Sequence, residues 1–188
     1  TDANNCVNTD QVLVTVNTLP PVNAGIDQTV CAGQTVTLTA TGGTAYTWAP
    51  VVTNGTSFTP AATGTYTVTG TSAAGCINTD QVLVTVNPLP VVVVADATIC
   101  ATATATLTAT GATTYSWSPA TNLSAATGAT VTFTPGTTTT YTISGTDANG
   151  CVSTDQAIVS VLANAPINAG VDVAICTGAS TTLTATGG

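Results

Sequence analysis

Lysine, arginine, histidine, glutamate and methionine are all absent from this chain of 188 residues. Its only charged side chains are eight aspartates, and the formal net charge is −8. Each absence removes a class of function. General acid–base catalysis draws mostly on His, Glu, Asp, Lys, Tyr and Cys, and only Asp, Tyr and Cys remain. Neither a Ser–His nor a Cys–His nucleophile pair can be built. Phosphates and nucleic acids need cationic partners, so no nucleic acid is expected to bind. Zinc would have to be held without imidazole, and no two side chains can form a salt bridge. No catalytic residue and no cofactor site is therefore assigned. Without methionine the chain is expected to be a processed product or a window on a longer polypeptide. No apolar run approaches the roughly 20 residues of a membrane span; the longest candidate is Val91 to Val94.

What is present is threonine, valine and alanine. Hydrophobic residues make up 44% of the chain, too many for a disordered polymer. Thr and Val favour strands, whereas the helix formers Leu, Glu, Lys and Gln are scarce or missing. The composition points to an all-β protein.

The order of these residues repeats. Thr1 to Asn17, Thr71 to Asn87 and Thr146 to Leu162 match closely, at offsets of 70 and 75 residues. So do Cys31 to Gly42, Cys100 to Gly111 and Cys176 to Gly187. Trp48 and Trp117 each follow their cysteine by 17 residues. The expected organisation is the C-terminal strands of one repeat (1–17), two whole repeats (18–87 and 88–162), and the N-terminal strands of a further one (163–188). Short proline-bearing linkers, Thr18 to Pro21, Pro88 to Pro90 and Ala163 to Pro166, act as stiff spacers.

Within a repeat the apolar period is two. Val36, Leu38 and Ala40 alternate with threonines; Tyr66 with Val68 and Val82 with Val84 and Val86 do likewise. Such alternation is the mark of an antiparallel sheet buried on one face. Gly42-Gly43, Asn54-Gly55 and Asn149-Gly150 punctuate it as turns. Six or seven short strands in about 70 residues imply a sandwich. Strands are expected at about 22–30 (A), 35–41 (B), 44–49 (C), 56–60 (E), 64–71 (F) and 80–87 (G), with a short C′ or D piece between Pro50 and Gly55. Trp48 on strand C resembles the buried tryptophan of immunoglobulin domains, and Gly64-Thr-Tyr66 resembles their tyrosine corner. Trp48, Tyr66, Trp117 and Tyr141 are the expected core. Val68 stands where the F-strand cysteine of an antibody domain would be.

Asn23-Ala-Gly-Ile-Asp27-Gln-Thr-Val-Cys31, Tyr46-Thr-Trp48, Thr63-Gly-Thr-Tyr66-Thr-Val and Asp147-Ala-Asn-Gly-Cys151 together resemble the Ig-like and PKD-like tandem repeats of large Bacteroidetes cell-surface proteins. Gliding-motility adhesins and other type IX secretion cargo are among these. The resemblance covers the whole chain. It implies tandem immunoglobulin-like β-sandwiches and secretion to the bacterial cell surface.

Six cysteines in a secreted chain suggest disulfides. Each repeat has one at the A–B turn (Cys31, Cys100, Cys176) and one at the F–G tip (Cys6, Cys76, Cys151). One bridge per repeat would pair Cys31 with Cys76 and Cys100 with Cys151. In a seven-strand immunoglobulin topology, however, the A–B turn and the F–G tip lie at opposite ends. Neighbour bridging would then join Cys31 to Cys151. If the segment 50–55 were a mere turn, the parity would flip and the first scheme would stand. Cys6 and Cys176 would pair outside this stretch under either scheme.

Asp27 and Asp96 lie four residues before a cysteine, and Asp80 and Asp155 four after one. As hard oxygen ligands they are weak candidates for Ca²⁺ between repeats; the alternative is hydrogen bonding to backbone. Asp2-Ala-Asn-Asn and Asp147-Ala-Asn-Gly faintly resemble a calcium loop, but the middle copy, Thr71-Ser-Ala-Ala-Gly75, keeps none of it, which favours a hairpin turn. Asn54-Gly-Thr56 and Asn122-Leu-Ser124 match the N-glycosylation triplet. The function expected is a non-enzymatic structural array, the stalk or shaft of an extracellular filament or giant adhesin. Its partners would be neighbouring repeats, with glycans as a further candidate. The alternatives are a glycan- or surface-binding adhesin module and an accessory array on a secreted hydrolase.

Overall fold

A computed structural model describes residues 1–134 and 136–187. The chain divides into two units, Thr1–Pro88 and Leu89–Gly188, each with one β-sandwich and its own core. No helix occurs among the described residues.

The first unit contains β1 (Gln28–Cys31), β2 (Val36–Thr37), β3 (Ala45–Ala49), β4 (Ser57–Phe58), β5 (Gly64–Thr71) and β6 (Ile77–Asn87). One sheet has the order β1-β6-β5-β3, and β2 pairs with β4 in the other. The Thr/Val alternation drives the layering. In β5 the residues Tyr66, Val68 and Gly70 are buried while the threonines between them are not. Val36, Leu38, Ala40, Trp48, Tyr66, Val68, Val82 and Val84 form the core with Ala24. Fully burying a side chain of this kind is worth about 1.5–3 kcal/mol. Phe58 lies against Tyr66 with ring centroids 5.3 Å apart.

The second unit repeats this plan with β7 (Val93–Val94), β8 (Ala97–Cys100), β9 (Ala105–Thr110), β10 (Thr114–Ser118), β11 (Thr130–Phe133), β12 (Thr139–Thr146) and β13 (Val152–Leu162). Its sheets have the orders β10-β12-β13-β8 and β11-β9-β7. Trp117, Tyr141, Ile143, Phe133, Leu107 and Val159 fill the core. Each unit is an immunoglobulin-like β-sandwich.

Strand A is not the single element expected at 22–30. It changes sheet midway. Asn23 bridges antiparallel to Thr41 of strand B, and then β1 runs parallel to β6, with Gln28 opposite Val84 and Cys31 opposite Asn87. In the second unit β7 pairs antiparallel with β9, and β8 runs parallel to β13, Cys100 facing Leu162. Strand G is longer than expected: the F–G hairpin stays paired to Thr71↔Ile77 in one unit and Thr146↔Val152 in the other. No strand forms between Pro50 and Gly55.

The pairings fix the direction of every strand. A and G run the same way, F opposes G, C opposes F, and E opposes B. Strands C and E are therefore parallel in direction, and the segment between them must cross the length of the sandwich. In the second unit this crossing is longer, and touches strand C through Ser116↔Thr127 and strand E through Leu123↔Phe133. Both C strands leave through a cis X-Pro bond, Ala49-Pro50 and Ser118-Pro119.

Candidate functional site

The residue types that carry chemistry gather at two places in each unit: where strand A crosses between sheets, and at the two sandwich ends where the cysteines lie.

At the crossing, strand A leaves one ladder before it joins the next, so backbone N–H groups on A and G lose their strand partners. An unpaired amide is costly. Aspartates supply the missing acceptors reciprocally. Asp80 Oδ2 on β6 accepts from the Ala24 N–H (2.8 Å), and Asp27 Oδ1 on strand A accepts from the Leu83 N–H of β6 (2.8 Å). The second unit repeats the pair: Asp155 Oδ2 accepts from Val94 N–H (2.9 Å) and Asp96 Oδ1 from Ile158 N–H (2.7 Å). Each clasp closes the upstream end of the parallel A–G ladder. The N–H of Ala24 and that of Gln81 hold Asp80 below the ordinary aspartate pKa; those of Val94 and Gln156 do the same for Asp155. The four weak calcium candidates thus direct carboxylate oxygens at their own backbone. The physical reason is the sheet crossing, which orphans amides that only a short acidic side chain reaches.

The F–G tips are hairpin turns. Asp147 Oδ1 accepts from the Asn149 and Cys151 N–H groups (both 2.8 Å), and Asp2 Oδ1 accepts from those of Asn4 and Cys6 (2.9 and 3.0 Å). These bonds lower the pKa of Asp2. In the middle copy Ser72 Oγ takes over the role, accepting from Cys76 N–H at 3.1 Å.

The cysteines of one repeat stand at opposite ends. Cys31 faces Asn87 at the last residue of β6, whereas Cys76 immediately precedes its first. Eleven residues of extended strand separate these positions, about 36 Å at roughly 3.3 Å per residue. A disulfide requires Cα atoms within about 7 Å. Cys100 and Cys151 are separated in the same way, since Cys100 faces Leu162 and Cys151 immediately precedes β13. The bridge within one repeat is thereby excluded: neither Cys31–Cys76 nor Cys100–Cys151 forms. Cys31 and Cys151 are both disulfide-bonded, while Cys6, Cys76, Cys100 and Cys176 are thiols. The Cys76 thiol is placed specifically. Its S–H donates to the Asn17 carbonyl at 3.9 Å, and nearby the Asn78 side chain donates to the Pro20 carbonyl at 3.0 Å. Asn17 is the repeat equivalent of Asn87, the residue that faces Cys31.

Trp48 and Trp117 are 5% and 3% exposed, and Tyr66 and Tyr141 are buried with them. Trp48 Nε1 donates to Asn54 Oδ1 (3.2 Å), which also accepts from the Ala40 N–H (2.7 Å). The Asn54 carboxamide of the first glycosylation triplet thus braces the core. Trp117 Nε1 donates instead to the Gly128 carbonyl (2.8 Å). The Tyr141 hydroxyl donates to the Thr121 carbonyl (2.7 Å), and burial raises its pKa. Two further tyrosines have a role the sequence reading did not assign. Tyr46 OH accepts from Gly43 N–H and donates to Gly43 O, and Tyr115 does the same with Ala112. Their equal spacing from Cys31 and Cys100 was the available signal. An open groove of about 450 Å³ runs beside strand C of the second unit, lined by Thr113, Thr114, Ser116, Thr127 and Ser144 around Tyr115.

No protein-family model matches the chain, and no curated protein does. Solved structures similar to it are tandem immunoglobulin domains. The titin I-band fragment I67–I69 aligns with a TM-score of 0.42 and 13% identity, covering 79% of this chain and 67% of that one. Hemolin, an insect immune protein, aligns with a TM-score of 0.40 and 14% identity over 81% and 49%. The first eight immunoglobulin domains of the Down syndrome cell adhesion molecule align at 0.38 and 17% over 90% and 32%.

Proposed function

We propose that this chain is part of an extracellular, non-enzymatic structural array in which immunoglobulin-like repeats follow one another on stiff proline linkers and neighbouring repeats are joined covalently. The repeats are 18–87 and 88–162, flanked by partial repeats at 1–17 and 163–188 that form no strands among the described residues, and the bridge is Cys31 to Cys151. The observation that carries this reading is the placement of one cysteine at each end of every sandwich, with only Cys31 and Cys151 oxidised. Cys31 lies beside Asn87, from which the linker Pro88 to Pro90 departs. Cys151 lies at the end of its own sandwich where that linker arrives: Thr146, five residues before it, pairs with Thr114, and the neighbouring Gly111 turn abuts Val91. The thiol at Cys76 awaits the A–B cysteine of a preceding repeat, which would stand on Asn17 as Cys31 stands on Asn87. Cys100 likewise awaits the F–G tip of a following repeat. Repeat resemblance supports a bacterial surface stalk or filament shaft exported with type IX cargo.

The size of the native polypeptide tests this. Denaturing, reducing analysis of material from its source should show a species far larger than the 18.3 kDa of these 188 residues. A reduced species of 18.3 kDa that reassembles would overturn the continuous array in favour of strand donation between subunits.

A further inference from the structure

We infer that the bridge makes the array nearly inextensible: tension bypasses the sandwiches and runs only along two short segments that have little length left to give. This rests on the Cys31–Cys151 pairing proposed above. With that bond in place, the shortest covalent route from Pro20 to Leu162 descends strand A of the first repeat to Cys31, crosses the disulfide to Cys151, and descends strand G of the second. Residues 32–150, 119 in all, lie outside the route.

Both segments on the route span their sandwich end to end. In the first repeat strand A pairs with β6 only over Gln28–Cys31, and its earlier residues meet β6 through side chains. The Pro20 carbonyl meets the Asn78 side chain, Ala24 N–H meets Asp80, and Cys31 faces Asn87. In the second, β13 carries the chain from Val152 to Leu162 in one unbroken eleven-residue strand. A strand rises about 3.3 Å per residue, and a fully pulled chain reaches only about 3.6 Å. The β13 segment can therefore lengthen by only a few ångströms, and the strand A segment, whose path from Asn78 to Asn87 is shorter than its own contour, by about 10 Å. Without the bridge the same load would enter strand A and leave by strand G of each repeat in turn, and every residue between them would be available to unravel. The Asp clasps and the parallel β1–β6 and β8–β13 ladders then serve to keep the load-bearing strands seated on domains that carry no load themselves.

Single-molecule stretching of the full chain, tethered through ligase tags at its two ends so that thiols stay untouched, tests this. The same oxidised sample is first mapped for its disulfide. The oxidised chain should show no unfolding step before rupture and lengthen by under about 2 nm beyond its terminal segments. With a dithiol reductant it should release about 40 nm, the contour of 119 residues at roughly 3.6 Å each. The double variant Cys31→Ser, Cys151→Ser should release the same length without reductant. Releases of tens of nanometres from material in which Cys31 and Cys151 are mapped as joined would overturn the load path. So would an inextensible double variant. A map joining Cys31 to any other cysteine would overturn the pairing itself.

Discussion

At the scale of single residues, this protein replaces ion pairs with carboxylate–amide bonds. With no cationic side chain, an aspartate has only N–H and O–H donors to turn to, and Asp27, Asp80, Asp96 and Asp155 each accept from a backbone amide across the A–G junction. The charge-assisted form of such a bond is the stronger one, and it holds Asp80 and Asp155 below the ordinary aspartate pKa. A folded-state pKa below the unfolded one means that the unfolded chain takes up protons first as pH falls. The stability these groups confer is complete above the unfolded value, about 4, and is lost as pH drops through the folded value. Thermal melting followed from pH 7 to pH 2 should therefore be flat down to about pH 5 and fall below about pH 4. The Asp80→Asn, Asp155→Asn chain should fall less steeply; an equal slope would show that the clasps do not couple to protons. The acidic positions were legible in the sequence because all three copies carry them. Their role was not, because it depends on strand A changing sheets, which orphans the amides of Ala24 and Leu83, and no local pattern signals that crossing.

At the scale of elements, most of the sandwich was readable and its edges were not. Val36, Leu38 and Ala40, or Tyr66 and Val68, alternate so regularly that their strands and buried faces follow from period two. Strand parity left the placement of the cysteines open between the same end and opposite ends, and the parallel pairing of β1 with β6 puts them at opposite ends. Strand A misled because Asn23 to Cys31 alternates as a single strand would, although its two halves serve different sheets. The price of the crossing is close approach of A to its neighbours, and glycines accommodate it. Gly111 has φ +93°, and a Cβ there would collide with the Val91 carbonyl oxygen. Gly145 on β12 sits where a Cβ would come within 2.5 Å of Val92 Cγ2. Gly111→Ala should cost the second sandwich about 2 kcal/mol or more, from the unfavourable φ and the displaced strand together. Gly64→Ala, which has nothing within 4 Å of the new methyl and no positive φ, is the control. Chemical denaturation compares them; equal midpoints would mean that strand A is not held against the Gly111 turn.

At the scale of the whole molecule, two small sandwiches without an intersheet disulfide or any side-chain ion pair need another source of cohesion. In each, the positions that hold the antibody disulfide are apolar and buried, as Val68 and Ile143 show. The cysteines stand at the ends of the sandwiches instead. The proposed bridge from Cys31 to Cys151 would close a loop worth about 5 kcal/mol in the chain-entropy account. The repeat and the sandwich were plain from residue order alone. The choice between the two bridging schemes was not, because it turned on whether residues 50–55 cross the sandwich or merely turn. The most direct measurement is a non-reducing disulfide map. The absence of Lys and Arg leaves trypsin no site, so cleavage before aspartate, combined with cleavage after Tyr, Trp and Phe to separate Cys31 from Cys76, is the suitable digest. The account predicts that the peptide containing Cys31 is joined to the peptide beginning at Asp147 that contains Cys151. Recovery of Cys31 joined to Cys76, or of Cys100 joined to Cys151, would contradict it.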